Sequence, residues 1–202
     1  RDLQRGRRPD LCLVVMSATL SASPVQAFLG DCPHVHAEGR VYPVSSRHVP
    51  GAGRGPVWDL AAAVLQEVLR DSDSGDVLIF MPGAYEIRRT LEACRRIRSP
   101  GPLTLLPLYG DLAPEVQRQV MIPAASGRKV IVATNIAETS LTIPGVRHVI
   151  DSGLVRQNRF DPGRGINMLE VTPISRDSAE QRAGRAGREA AGTCHRLWTL
   201  AE

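Results

Sequence analysis

The 202-residue chain is predicted to be an α/β domain: a parallel β-sheet with helices on both faces and a projecting β-hairpin. Three observations carry this expectation. Short apolar runs recur along the chain and are continuous, not alternating, as expected of strands covered on both sides. Between them lie stretches whose apolar residues repeat at helical spacing. A dense turn signal late in the chain separates two strand-like arms.

The elements follow in order. Arg1 to Asp10 is polar, and Leu11 to Met16 (LCLVVM) then reads as a buried strand, with Cys12 as a small buried hydrophobe. It runs into Ser17-Ala18-Thr19, small hydroxyl residues where open α/β sheets bind ligands. A buried strand with no earlier partner suggests a truncated first domain, so a boundary is expected near Gly39 to Val44. Residues 1–40 would then be a tail, and 41–202 a domain of their own.

A strand is expected over Val41 to Val49, followed by the loop Pro50 to Pro56 (PGAGRGP). From Trp58, the positions Ala61, Ala62, Leu65, Val68 and Leu69 mark one face of a helix. Val77 to Met81 (VLIFM) is a strand that ends at a Pro-Gly break before a helix from about Ala84 to Arg98. Leu103 to Leu108 is a further strand, and Pro114 suits the first turn of a third helix. Val130 to Ala133 and Val146 to Ile150 complete the strands. Leu154 to Ile174 reads as a hairpin around Asp161-Pro162-Gly163-Arg164-Gly165, carrying Arg156, Arg159 and Arg164.

Composition narrows the chemistry. Hydrophobic residues make up 43% and aromatics only 4%, so the core must be aliphatic. A net charge of +4 is compatible with nucleic acid without establishing it. Lys129 is the only lysine and stands in Gly-Arg-Lys-Val, so the chain holds no P-loop, which needs Gly-Lys-[Ser/Thr]. The arginine excess fits a GC-rich genome better than selection for phosphate binding. Four dispersed cysteines, with no Cys-x-x-Cys, suggest neither zinc nor a disulfide framework, and His34 and His36, alternating near a Pro, could ligate a metal but do not by themselves make a site. No apolar run reaches about 18 residues and no signal peptide opens the chain, so a cytoplasmic protein with no membrane contact is expected.

Two segments concentrate polar chemistry. Gln181 to Arg188 reads QRAGRAGR, with arginines at fixed offsets between glycines. Guanidinium binds phosphate oxygens bidentately and keeps its charge, although solvated loop arginines alone would look similar. Thr134 to Ile143 (TNIAETSLTI) packs hydroxyls, an amide and backbone N–H groups after a strand, donors suited to sugar–phosphate oxygens or to helix capping.

In this order the motifs closely resemble the DEAH/RHA family of superfamily 2 helicases. SAT looks like its motif III, VLIFMPGAYEI like motif IV, ATNIAETSLTIPGV like motif V and QRAGRAGR like motif VI. The hairpin after VIDSG, ending TPIS, matches one the family carries between motifs V and VI. The resemblance runs from about Pro9 to Trp198. LPLYGDLAPEVQ, RFDPGRGINML and GTCHRLWTLAE look most like the bacterial HrpB-type branch.

The resemblance implies two RecA-like domains that sandwich an NTP, with this chain as the tail of the first (1–40) and the whole second (41–202). Gln181 would then lie near the γ-phosphate and attacking water, and Arg185 and Arg188 would be fingers on the transferring phosphoryl group. Ser17, Ala18 and Thr19 would couple nucleotide state to closure. Met121, Ser140 and Thr142 would face the nucleotide. Thr134 and Asn135 would hold the RNA backbone, with Gly110 letting a strand pass close and Arg156 and Arg159 contributing from the hairpin. ATP, or other NTPs, and Mg²⁺ would be held mainly by the first domain, so the isolated chain is expected to be inactive. The implied partners are single-stranded RNA, with DNA left open, and the first RecA-like domain of the same protein.

Two departures bear on nucleotide choice. Many eukaryotic members stack the base on a Phe where this chain has Met121, and offer the ribose an Asp where it has Pro144. A non-catalytic helicase-derived scaffold and a DNA translocase remain as alternative readings of the same motifs.

Overall fold

A computed structural model describes residues 2–16, 22–30, 32–35, 42–49, 55–139 and 142–199. The chain divides into two compact units, Arg1–Gly39 and Arg40–Glu202.

The first unit contains helices α1 (Asp2–Gly6) and α2 (Ala22–Leu29). The expected strand at 11–16 does not form. These residues are irregular, Val14 and Met16 are 74% and 87% exposed, and Cys12 is exposed instead of buried. An apolar run becomes a buried strand only with paired neighbours, and no described residue of this unit is in a strand. Ser17, Ala18 and Thr19 lie outside the described residues.

The second unit is built on alternation. Its elements are β1 (Val44–His48), α3 (Val57–Asp71), β2 (Asp76–Phe80), α4 (Ala84–Cys94), β3 (Leu103–Leu108), α5 (Pro114–Gln119), β4 (Arg128–Ala133), α6 (Ile136–Thr139), β5 (Val146–Asp151), β6 (Leu154–Asp161), β7 (Ile166–Pro173), α7 (Arg176–Ala183) and β8 (Gly192–Arg196). Six strands form one sheet in the order β1-β8-β5-β2-β4-β3, and every pairing is parallel. β6 and β7 form the separate antiparallel hairpin.

Each central strand divides its side chains between two cores. Val77 and Ile79 of β2, with Val130 and Val132 of β4, meet the apolar faces of α3 and α4. Leu78, Phe80, Ile131 and Ala133 point the other way, toward Val120, Ala137, Ala183 and Ala186. This double burial is why the strand sequences are continuous runs. The α3 positions read from the sequence, Ala61, Ala62, Leu65, Val68 and Leu69, are all buried.

One helix boundary moved and one strand was missed. α4 ends at Cys94, not Arg98, before the Ser99-Pro100-Gly101-Pro102 break. β8 reads GTCHR, too polar to signal a strand, yet it is inserted between β1 and β5. Lys129 is a strut: 1% exposed, its Nζ donates to the carbonyls of Val120 (3.0 Å) and Ile122 (3.2 Å) and lies 3.4 Å from Asp76.

The register aligns the strand ends. One row crosses the sheet through His48, Arg196, Asp151, Phe80, Ala133 and Leu108. The loops leaving that row after β3 and β4 carry Gly110, Thr134 and Asn135.

Candidate functional site

Past the end of β4, Thr134 donates its N–H to Leu108 O at 3.0 Å, while Met81 donates to Ala133 O at 2.8 Å. The turns after β3, β4 and β2 are thereby sewn together, which brings Gly110, Thr134 and Asn135 to one edge. Asn135 and Gly110 are exposed and Thr134 is half-buried. Thr134 and Asn135 also open α6, their carbonyls accepting from Ala137 and Glu138. Among the described residues, a Cβ at Gly110 would meet nothing within 4 Å, so none of them requires glycine there.

The arginine segment is set by a capped helix. Ser175 accepts a hydrogen bond from Ser178 N at 3.1 Å and starts α7, which tightens at Gly184–Gly187 into a 3-10 turn. Arg182 is 1% exposed. Its Nε donates to Glu138 Oε2 at 3.0 Å, and its Nη1 to Asp151 Oδ1 at 2.9 Å and Leu154 O at 3.2 Å. The guanidinium also lies 4.8 Å from the centre of the Phe80 ring. One side chain thus ties α7 to α6, to the end of β5 and to the base of the hairpin. Arg182 was not among the residues read as functional. A carboxylate ending an apolar strand, as in Val149-Ile150-Asp151, was the available signal that a buried cation had to exist.

Arg185 and Arg188 occupy the turn beyond. Arg185 is 6% exposed and donates to Glu138 O, while Arg188 is exposed and donates to the Thr142 hydroxyl. Burial first, and then the charge of Arg188, push Arg185 down to about 10; Glu138 works in the opposite direction. Gln181, half-buried, precedes Arg185 by four residues, and the mutual repulsion of the two guanidiniums is one that an anion would relieve. The structure therefore joins Arg185, Arg188 and Thr142. Ser140 lies outside the described residues. Met121, 37% exposed just after α5, donates its N–H to Arg118 O at 3.0 Å, within its own turn.

The hairpin arginines do not form one cationic face. Arg156 and Arg159 differ by an odd number of residues and so point to opposite sides of the ribbon. Arg156 lies 3.4 Å from Glu86, and Arg159 lies 3.3 Å from Glu170. A cleft of about 790 Å³ at the hairpin base is lined by Val57, Gly153, Leu154, Arg176 and Trp198, among others, and by none of the candidate site residues. Among the described residues, no group of three or more His, Cys, Asp and Glu is placed to hold a metal, and no helix could cross a membrane.

Residues 60–190 match the model of the helicase conserved C-terminal domain. The chain belongs to that helicase family. It is 46% identical over 189 residues to the ATP-dependent RNA helicase HrpB of Escherichia coli, covering 93% of this chain and 23% of HrpB. It is 43% identical over 202 residues to the pre-mRNA-splicing factor ATP-dependent RNA helicase prp22 of Schizosaccharomyces pombe, covering 96% of this chain and 17% of that protein. A crystal structure of the E. coli DEAH/RHA helicase HrpB superposes with a TM-score of 0.88 at 44% identity, over 99% of this chain and 25% of that one. The sheet is thus the RecA-like sheet of a DEAH/RHA-type helicase C-terminal domain. The chain spans about a fifth of the length of the curated relatives it matches.

Proposed function

We propose that this helicase C-terminal domain works as the second RecA-like domain of an NTP-dependent RNA helicase, supplying arginine fingers for hydrolysis and half of a single-strand RNA track. The observation that carries the reading is the juxtaposition of Arg185 and Arg188 on one tight turn, both anchored to the Glu138–Thr142 segment. That segment also begins at Thr134 and Asn135 on the strand-end edge, so the phosphate-facing and strand-facing residues share one loop.

In this reading an NTP with its Mg²⁺ is held mainly by the first RecA-like domain of the same protein. Arg185 and Arg188 reach across to the γ-phosphate and stabilise the charge that develops as water attacks phosphorus and the bond to the leaving diphosphate breaks. Gln181 orients that water. Met121, Ser140 and Thr142 border the nucleotide, and Ser17, Ala18 and Thr19 transmit its state to domain closure. Thr134, Asn135 and Gly110 line the RNA path, with Arg156 and Arg159 beside it. Arg182 holds the finger turn in place and needs no contact with substrate.

The test is hydrolysis by the full-length protein carrying Arg185→Ala or Arg188→Ala. The expected loss is about 10³-fold, with RNA binding nearly unchanged. Unaltered steady-state hydrolysis in either variant would contradict the assignment. Stimulation by single-stranded RNA over DNA of the same length supports the RNA reading, and the reverse order supports a DNA translocase.

A further inference from the structure

α4 opens at the Gly83 turn, just past the end of β2, on the edge that also carries Thr134 and Asn135. Its first turn bears Tyr85, 51% exposed, whereas Ile87 and Leu91 of the same helix are buried. Trp58, in the first turn of α3, meets Tyr85 edge to face, with ring centres 5.9 Å apart and planes 88° apart. Arg89, one helical turn on, sets its guanidinium 5.6 Å from the Trp58 ring centre and is itself held by Glu92 at 2.8 Å. In a chain with three Tyr, two Trp and three Phe, this is an aromatic pair braced by its neighbours, with much of one ring facing solvent.

We propose that Tyr85, braced by Trp58 and Arg89, is a stacking platform for one unpaired base of the single strand that follows the strand-end edge. The proposal rests on the RNA-track reading above and adds a base contact to it. The chemistry fits a nucleobase better than a protein. A stable protein interface needs roughly 800 Å² on each partner. Here one ring is flanked by the charged side chains of Arg88, Arg89 and Glu92. A base is flat and about the size of one ring, and all four bases offer a π-face, so the contact tolerates any sequence. Arg88 is exposed on the same helix face, and Arg89 and Arg156 pair with Glu92 and Glu86, so cationic side chains stand beside the ring for the adjoining backbone. The Arg156–Glu86 contact at 3.4 Å also sets the hairpin beside the platform, where a strand between the two would be guided.

The experiment measures equilibrium binding of the full-length protein to oligouridylate and to an abasic strand of equal length and charge. Tyr85→Ala and Tyr85→Leu should each weaken oligouridylate binding by about tenfold, while Tyr85→Phe stays within about twofold. Tyr85→Leu keeps the apolar bulk without the π-face, so its loss cannot come from a gap at the surface. All variants should bind the abasic strand equally. If the wild type binds oligouridylate and Tyr85→Leu binds it as well, the platform is wrong and the RNA track stands. An equal loss on the abasic strand would also overturn stacking. If the wild type binds neither strand, the RNA reading itself falls, and the platform with it.

Discussion

Arg182 and Asp151 form a buried ion pair, Nη1 to Oδ1 at 2.9 Å, with 1% and 0% of their side chains exposed. Burial raises Asp151 above the usual carboxylate range, and Arg182 and the Gly153 N–H pull it back down. Asp151 Oδ2 is buried with no hydrogen-bond partner among the described residues, so the carboxylate depends heavily on Arg182. Because the same guanidinium holds Glu138 and Leu154 O, the pair fastens α6 and α7 to the hairpin.

Removing one member should strand the other. Arg182→Met or Asp151→Asn is expected to lower stability by about 3–5 kcal/mol, and the double variant by less than the sum of the two. Urea unfolding of the four proteins measures this, and additive losses would rule out the coupling.

The two glycines inside the arginine motif are not equivalent. A Cβ on Gly187 would sit 2.5 Å from Tyr42 O, whereas one on Gly184 would meet nothing within 4 Å. Gly187 is fixed further by Tyr42 N donating to its carbonyl at 2.9 Å. Gly187→Ala should therefore destabilise the domain by about 1–3 kcal/mol, while Gly184→Ala is neutral or stabilising because its φ of −58° is helical. Thermal melts of both variants check the contrast; equal effects would contradict it.

A histidine relay gives the domain an acid-sensitive side. Arg47 Nε donates to His195 Nδ1 at 2.9 Å, and Thr193 Oγ1 lies 3.2 Å from His195 Nε2 and 2.9 Å from His148 Nδ1. Burial, then the Arg47 charge, push His195 down to about 4, and burial also lowers His148. The unfolded imidazole, near 6.5, takes a proton that the folded one refuses. Stability is thus full above about pH 6.5 and falls as pH drops toward 4. Urea midpoints at pH 7 and pH 5 should show the fall, and His195→Asn should reduce it; an unchanged slope would clear His195 of the effect.

Nucleotide choice should be loose. Met121 offers a polarizable thioether but no aromatic face, and Pro144 has no side-chain acceptor for a ribose. Turnover of ATP, GTP, CTP and UTP by the full-length protein should agree within about tenfold, since an apolar contact alone discriminates little. A strong preference for ATP would overturn this.

The sequence by itself determined the parallel α/β sheet, because strands buried on both faces must be written as continuous apolar runs. Val77–Phe80 and Val130–Ala133 could hardly be read otherwise. It also determined the spacing of Gln181, Arg185 and Arg188, which is local to one helix and turn. The same rule misled at Leu11–Met16, where apolar character is visible but paired neighbours are not. It was silent at β8, whose polar sequence is a strand only because β1 and β5 flank it. Only the tertiary structure decided that Arg182, and not its better-marked neighbours, bears the buried load. Its partners Phe80, Glu138, Asp151 and Leu154 are dispersed along the chain, and an ion pair between distant residues leaves no periodicity to read. The hairpin shows the same division: its turn was legible, but the acids that pair Arg156 and Arg159 were settled by strand register and by packing against α4.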